Sequence, residues 1–257
     1  MKQPQYRNYA KFYDEKEGRN RYNWKYRDNP RESDKRLLTI IHSLACDRRE
    51  VSLADLGCGN GNFLGHLKRI HPEWRLLGKD LAAHLIDLCR KDRALEGIRF
   101  EVGDLSDPPA SDQRNCFDFV VLIAVLQVLP PEVLERAVNS LCQYLKPCGW
   151  LVNFDGYHPF SRHDLVHVEV HSPRLRPSLP TMSYFYPSYD RMTDLCQKAG
   201  FEQVKFEEFN IPFDLSADPE NPGSTHTVQK ADGSRFSMLG IVAQPWCFLT
   251  AQRSFTD

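Results

Sequence analysis

The chain has 257 residues, of which 41% are hydrophobic and 26% are charged, and its formal net charge is -1. These values are typical of a globular protein and give no indication of a nucleic-acid or membrane partner. The eight cysteines form no CxxC pair, which argues against a zinc knuckle and a disulfide framework. We expect a cytoplasmic protein, because the N-terminus lacks the apolar core of a secretory signal and the apolar run at 119–126 is too short to span a bilayer.

The first 33 residues are predicted to form an N-terminal cap. Their aromatic side chains fall on one stripe of a helix, namely Tyr6, Tyr9, Phe12 and Tyr13. Such a stripe either closes over a bound ligand or packs a short helix against the domain, and both alternatives stay open. Beyond the cap, the spacing of apolar residues predicts a helix over 34–48 with Ser33 as its N-cap.

From residue 34 onward, short apolar runs alternate with amphipathic stretches. Strands are predicted at 51–56, 74–79, 98–102, 117–123, 149–154, 201–209 and 246–252. Helices are predicted at 61–71, 82–93, 131–145 and 188–199, and a turn at 146–149 ends the third of them. This alternation is typical of a doubly wound α/β domain, in which a mostly parallel sheet carries helices on both faces.

Two stretches within the 34–257 domain are too long for simple connections and are predicted to be insertions. The first covers about 156–187 and is interrupted by prolines, and the second covers about 211–244. In the second, Asp232-Gly233 lies between two short runs, as the turn of a β-hairpin does. We expect both insertions on the substrate side of the domain.

A glycine-rich turn joins the first strand to the following helix. Its sequence at 55–61 is DLGCGNG, in which Gly57, Gly59 and Gly61 allow a tight turn and a close approach of a ligand to the main chain. The spacing differs from the GxGxxG of dinucleotide sites, and Asp55 precedes the first glycine. Because an acidic side chain suits a positively charged amino group rather than a pyrophosphate, the turn predicts a nucleotide-like cofactor without phosphates.

The pattern AspxGlyxGlyxGly resembles the first motif of class I S-adenosylmethionine-dependent methyltransferases, and the resemblance covers residues 51 to about 155 well. It implies a seven-stranded sheet with an antiparallel last strand and inserted substrate-side elements. It also implies that Asp80 binds the ribose hydroxyls, that Asp104 and its neighbour hold the adenine, and that the end of the fourth strand lines the methionine part. The implied S-adenosylmethionine-binding residues are Asp55, Gly57, Cys58, Gly59, Gly61, Asp80, Leu81, Gly103, Asp104, Leu105, Ile123 and Ala124. Gln127 departs from the pattern, since many small-molecule members carry histidine or glutamate there.

Candidate catalytic residues follow the fifth strand. A sulfonium methyl group is already activated, so a base is needed only when the attacking atom must lose a proton. Loops at the carboxyl ends of strands face the ligand crevice, which makes His158 the first candidate and Asp155 and Tyr157 the alternatives. A loop histidine can equally well satisfy only a main-chain carbonyl.

Alternation over 166–171 places His167, Glu169 and His171 on one face of a strand. We interpret this face as the solvated side of the strand and predict no metal site, because isolated surface histidines seldom complete a ligand set.

These observations predict an enzyme that transfers a methyl group from S-adenosylmethionine to a small-molecule acceptor by direct in-line displacement, with the insertions forming the acceptor pocket. We expect no nucleic-acid partner and no membrane association. The alternatives are an RNA or protein methyltransferase and a non-catalytic module that binds S-adenosylmethionine.

Overall fold

The computed structural model describes residues 6–7, 24–46, 48–170, 182–211, 213–217, 225–239 and 242–255. Five α-helices are found there: α1 (Glu32–Ala45), α2 (Asn62–Ile70), α3 (Ala83–Lys91), α4 (Pro131–Tyr144) and α5 (Tyr189–Lys198). None of the helices in these ranges has the length and apolar character needed to cross a membrane.

The described strands form one large and two small sheets. In chain order they are β1 (Ser52–Leu56), β2 (Arg75–Asp80), β3 (Arg99–Val102), β4 (Phe117–Ile123), β5 (Leu145–Gly156), β6 (Leu165–Val170), β7 (Met182–Pro187), β8 (Phe201–Glu208), β9 (Thr225–Gln229), β10 (Arg235–Leu239), β11 (Val242–Gln244) and β12 (Trp246–Arg253). The large sheet has seven strands in the order β3-β2-β1-β4-β5-β12-β8. Strand β12 runs antiparallel to both neighbours, which confirms the predicted doubly wound sheet with an antiparallel last strand.

A hydrophobic core covers each face of this sheet. One cluster joins α4 and α5 to the sheet, and the other joins α1, α2 and α3 to the opposite face. In β1, alternate residues therefore serve different cores, and all five residues of the strand are buried. Strands buried on both faces read as continuous apolar runs, which is why the sequence predicts them well. The carboxyl ends of the parallel strands meet at one edge, and the glycine-rich turn lies there.

The first helix begins earlier than predicted. Arg31 is its N-cap, since the Arg31 carbonyl accepts the first helical hydrogen bond from Lys35, and Ser33 lies inside the first turn. The Asp34 carboxylate accepts hydrogen bonds from the Arg31 main-chain N–H at 3.1 Å and from its guanidinium at 2.9 and 3.0 Å. An acidic residue at the third helical position thus satisfies the free N–H before the helix, and the prediction of Ser33 as N-cap is wrong.

The fifth strand also begins earlier than predicted. Helix α4 ends at Tyr144, and β5 starts at Leu145 without the intervening turn expected at 146–149. Instead, the register between β4 and β5 shifts after Phe117, and Cys148 has a φ of 60°. A bulge inserts extra residues into a strand without ending it. Pro147 and Gly149 therefore lie where the pairing of β5 with β4 is irregular, and not in a turn before β5.

The segments predicted as insertions contain the two small sheets. In the first, β6 and β7 pair as an antiparallel hairpin, and β7 lies against the segment that follows β4. In the second, β9, β10 and β11 form an antiparallel sheet, and the hairpin turn at Asp232-Gly233 is confirmed. The sequence signals missed β7 and β11, because prolines flank β7 and β11 is only three residues long.

Candidate functional site

The glycine-rich turn is fixed to the neighbouring strand by its own main chain. The N–H groups of Gly57 and Cys58 both donate to the Lys79 carbonyl of β2, at 2.7 and 3.1 Å. Gly57 has a φ of +93°, and a Cβ added there would lie 2.4 Å from Cγ2 of Val125, in the segment after β4. Glycine is therefore needed for both its backbone conformation and its lack of a side chain.

Gly57→Ala is expected to lower the free energy of unfolding by about 2–3 kcal/mol, through backbone strain and the clash with Val125. Urea denaturation measures this loss. Gly233→Ala is a matched control, because Gly233 has a similar φ of +83° but nothing within 4 Å of an added Cβ. If the two variants lose equal stability, the close approach of Val125 has no energetic consequence.

Asp55 is a buried carboxyl group at the base of this turn. Its side chain is 2% exposed, and its Oδ1 has no hydrogen-bond partner among the described residues. Burial, with smaller contributions from Asp80 and Asp34, raises the pKa of Asp55 to about 8, and Arg31 opposes the shift. An unpartnered buried oxygen among carboxylates fits a positively charged ligand group.

The raised pKa predicts that the affinity for a cationic cofactor increases from about pH 6 to about pH 8. Below its pKa the Asp55 carboxyl is protonated and neutral, so binding of a cation must release a proton; above it, the carboxylate is already present. Calorimetric titration with S-adenosylmethionine at about pH 6, in buffers of different ionisation enthalpy, measures this proton release. Asp55→Asn removes the ionisable group and should abolish the release; a wild-type titration without proton release contradicts the assignment.

Asp80, at the end of β2, ties the glycine-rich turn to the start of α3. Its Oδ2 accepts a hydrogen bond from the Gly59 N–H at 2.8 Å, and its Oδ1 accepts one from the Ala82 N–H at 2.8 Å. Its carbonyl accepts a hydrogen bond from the Gly103 N–H at 3.0 Å, so the segment after β3 begins beside it. Leu81 and Leu105 are partly buried against the core that contains α4.

Asp104 contacts the described residues Tyr6 and Arg7 of the N-terminal cap. Its Oδ1 accepts from the N–H and hydroxyl of Ser106, and its Oδ2 accepts from the Tyr6 hydroxyl at 2.7 Å and the Arg7 guanidinium at 3.1 Å. Burial alone would raise the pKa of Asp104, but these hydrogen bonds outweigh it and lower the pKa. Tyr6 of the predicted stripe thus reaches the site, whereas Tyr9, Phe12 and Tyr13 lie outside the described residues.

The segment after β4 is held by Asp155. The Ala124 N–H donates to the Phe154 carbonyl at 2.8 Å, and Ala124 has a φ of 58°. The fully buried Asp155 carboxylate then accepts hydrogen bonds from the main-chain N–H groups of Val125 at 3.0 Å, Leu126 at 2.7 Å and Gln127 at 3.3 Å. This geometry makes Asp155 a structural anchor and argues against its predicted role as a base.

Tyr157 and His158 are buried beside the same edge. The Tyr157 hydroxyl donates to Oδ1 of Asn153, and the ring packs on Phe206 at 5.4 Å, so Tyr157 belongs to the core. The His158 Nδ1 accepts from the Phe160 N–H at 3.3 Å. Burial, with a contribution from His163, lowers the pKa of His158, which keeps the imidazole neutral at neutral pH. A catalytic role for His158 stays a prediction.

The predicted solvated face of β6 is confirmed for His167 and Glu169, which are both exposed. His167 stacks on Phe185 of β7, with ring centroids 4.4 Å apart. Glu169 shares that face, and His171 lies outside the described residues. In the part of the chain that the structure describes, no group of three or more histidine, cysteine, aspartate or glutamate side chains is arranged to hold a metal ion.

Comparison with known proteins places this site in a family. Residues 53–149 match the family model described as a methyltransferase domain. A structure of an S-adenosylmethionine-dependent methyltransferase from Methanosarcina mazei superposes with a TM-score of 0.57 at 16% identity, covering 84% of this chain and 97% of that chain. Residues 53–149 therefore form a methyltransferase domain, and the fold around them is that of class I S-adenosylmethionine-dependent methyltransferases.

Two relatives show how far the similarity extends. The chain is 26% identical over 164 residues to the tRNA N(3)-methylcytidine methyltransferase Mettl2 of Drosophila melanogaster, covering 59% of this chain and 49% of that protein. It is 31% identical over 127 residues to the trans-aconitate 2-methyltransferase of Deinococcus radiodurans, covering 49% of this chain and 46% of that protein. The chain thus spans about half the length of these relatives.

The methyltransferase domain takes S-adenosylmethionine as its cofactor, and the residues present fit it. The unpartnered oxygen of Asp55 suits the positively charged amino group of the cofactor. Asp80 and Asp104 lie at the adjacent strand ends, as the family's pattern requires. Gly59, Gly61, Cys58 and Ile123 belong to the same edge.

The relatives correct the expectation of a small-molecule substrate without a nucleic-acid partner. Matching proteins from Drosophila melanogaster, Danio rerio and two yeasts are named as tRNA cytidine methyltransferases, which contradicts that expectation. The net charge of -1 was a poor guide, because a balanced total says nothing about the charge of one local surface.

Sequence reasoning also missed contacts around the methyltransferase site. Arg31 and Asp34 influence the pKa of Asp55. The sequence pattern that could have indicated them is an aspartate three residues after an arginine at the start of a helix. Tyr6 was noticed only as part of a stripe, and no local pattern pairs it with a carboxylate 98 residues away.

Proposed function

We propose that this methyltransferase transfers the activated methyl group of S-adenosylmethionine, by direct in-line displacement, to an unprotonated ring nitrogen of an RNA base. The observation that carries the proposal is that the candidate bases after β5 are already hydrogen-bonded to other groups of the protein. Asp155 is bound by three main-chain N–H groups of residues 125–127, and the Tyr157 hydroxyl donates to Asn153. Nδ1 of His158 accepts from the Phe160 N–H, so the proton of the neutral ring lies on its unpartnered Nε2, which cannot act as a base. An acceptor that needs no proton removed fits such a site.

Methyl transfer to such a ring nitrogen needs no base. The lone pair of the ring nitrogen forms the new bond to the methyl carbon, the carbon–sulfur bond breaks, and its electron pair stays on sulfur as S-adenosylhomocysteine forms. The methylated base becomes cationic, and no proton has to leave. The protein's contribution is then to hold both partners in line and to exclude water.

Support for an RNA acceptor comes from relatives named as tRNA N(3)-methylcytidine methyltransferases, since the N3 atom of cytosine carries a lone pair and no proton. The same property belongs to a carboxylate, which the name of the trans-aconitate relative suggests for that enzyme. Neither acceptor class needs a base to remove a proton, so an experiment has to distinguish between them.

The test uses the full-length chain with deuterated-methyl S-adenosylmethionine, total tRNA and, in a separate reaction, a mixture of small carboxylic acids. We expect label in RNA, recovered after nuclease digestion as an N-methylated nucleoside. Asp80→Asn is the control for cofactor-dependent labelling. Label confined to methyl esters, or binding of the cofactor without any transfer, contradicts the proposal.

A further inference from the structure

An unpaired oxygen lies in the segment after β4. Gln127 is 5% exposed, and its Oε1 is buried without a hydrogen-bond partner among the described residues. That oxygen is 3.2 Å from the position of a Cβ added to Gly156, at the carboxyl end of β5. A buried acceptor without a donor costs free energy, which calls for a partner in the functional state.

The main chain at Gln127 is held by a hydrogen bond to a buried carboxylate. Its main-chain N–H donates to Asp155, whose carboxylate also holds Val125 and Leu126. Because three consecutive main-chain groups share one buried carboxylate, the main chain from which the Gln127 side chain projects is held in place. Gln127 also lies only a few residues from Ile123 and Ala124, which the family pattern assigns to the methionine end of the cofactor.

Aromatic rings flank the same place. The Tyr186 ring of β7 lies over Gly156, since an added Cβ would be 2.3 Å from its carbons. Gly156 pairs with Trp246 of β12, and the Trp246 ring stacks on Phe154 with centroids 4.8 Å apart and planes 12° apart. In a strand, residues two apart share a face, so Phe154, Gly156 and Trp246 lie on one side of the sheet. An aromatic ring beside an unpaired acceptor suits a planar heterocycle.

We infer that Gln127 is the specificity-determining residue of the acceptor site and that its carboxamide oxygen accepts a hydrogen bond from an exocyclic amino group beside the ring nitrogen that is methylated. The inference rests on the proposed RNA-base acceptor and narrows it to amino-bearing bases. Cytosine and adenine carry such an amine next to an unprotonated ring nitrogen. On the corresponding edge, uracil N3 and guanine N1 carry a proton and lie beside a carbonyl, which would repel the Gln127 oxygen.

The test compares two RNAs that differ in one amine. One is the labelled substrate, and the other carries 2-pyrimidinone in place of the target cytosine, or purine in place of a target adenine. The wild-type protein is expected to lose about 10- to 100-fold in kcat/KM on the RNA without the amine. The missing amine also makes the ring nitrogen a weaker nucleophile, so the two proteins are compared by the ratio of their rates on the two RNAs. In Gln127→Met this ratio should fall about 10- to 100-fold below the wild-type ratio, through a loss of rate on the normal RNA.

Two controls separate this role from a structural one. Gln127→Met removes an unpartnered buried oxygen, so we expect an unchanged or higher Tm and unchanged binding of S-adenosylhomocysteine. Gln143→Met is the matched control, because the Gln143 Oε1 is also buried and unpartnered but lies in α4, where the Gln143 carbonyl accepts from Asn115 before β4 begins. It should keep the wild-type preference.

The outcomes distinguish the two claims. Methylation of RNA by the wild-type protein with equal rates on both RNAs, or a Gln127→Met variant that keeps the preference, overturns the role of Gln127 and leaves the RNA acceptor in place. A wild-type protein that methylates no RNA overturns both claims.

Discussion

Asp80→Ala is expected to weaken the binding of S-adenosylhomocysteine by roughly 30- to 150-fold, which corresponds to ~2–3 kcal/mol. The substitution removes the carboxylate that the family pattern assigns to the ribose hydroxyls. It also leaves the N–H groups of Gly59 and Ala82 without their acceptors, so the glycine-rich turn loses its tie to α3. Isothermal titration calorimetry measures the dissociation constant directly.

The matched control for this variant is Asp87→Ala. Asp87 lies on the neighbouring helix α3, where its exposed carboxylate pairs only weakly with Arg90 at 3.4 Å. It carries the same change of charge close to the site, and we expect its dissociation constant to stay within about twofold of the wild-type value. An unchanged dissociation constant for Asp80→Ala would remove Asp80 from the cofactor site.

Asp155→Ala is expected to lower the free energy of unfolding by about 3–5 kcal/mol, because it leaves several buried main-chain donors without an acceptor. The affected groups are the N–H groups of Val125, Leu126, Gln127 and Gly156. Urea denaturation followed by tryptophan fluorescence measures the loss. Because this segment carries Gln127, methyl transfer should fall along with stability.

Asp155→Asn distinguishes an anchor from a base. The amide keeps one acceptor oxygen in nearly the same place, so an anchoring role predicts a smaller loss of stability and substantial remaining activity. A base cannot be replaced by an amide. If Asp155→Asn is stable and loses all methyl transfer, Asp155 takes part in the chemistry and its assignment here is wrong.

The cofactor side of the site could be predicted because its signals are local. The spacing of Gly57, Gly59 and Gly61 reports on one turn, and Asp55 and Asp80 each belong to a strand whose end is marked by a buried apolar run. Parallel strands bring such ends to one edge of the sheet. The order of the short motifs along the chain was therefore enough to predict that these residues lie close together in the fold.

The acceptor side could not be predicted in the same way. Asp155, Tyr157 and His158 follow the fifth strand as candidate bases should, but the period-two alternation of β5 points Asp155 toward the segment after β4. Its partners are main-chain groups that no side-chain pattern reveals. The unpaired oxygen of Gln127 is visible only once β7 and β12 pack beside Gly156.

The N-terminal cap shows a further limit of sequence patterns. Tyr6 and Arg7 hydrogen-bond to Asp104, although Tyr6 lies 98 residues and Arg7 lies 97 residues before it in the chain. The stripe of aromatic residues left open whether it closes over a ligand or packs against the domain, and it did not show what Tyr6 would contact. Contacts of this kind depend on the finished sheet and carry no local signature.

The most direct measurement of the central claim is a crystal structure of the protein with S-adenosylhomocysteine. We expect a single ligand along the carboxyl edge of the sheet, with its amino end at Asp55, its ribose hydroxyls on Asp80 and its adenine beside Asp104. A ligand bound elsewhere, or one that leaves these three carboxylates without contact, would contradict the account.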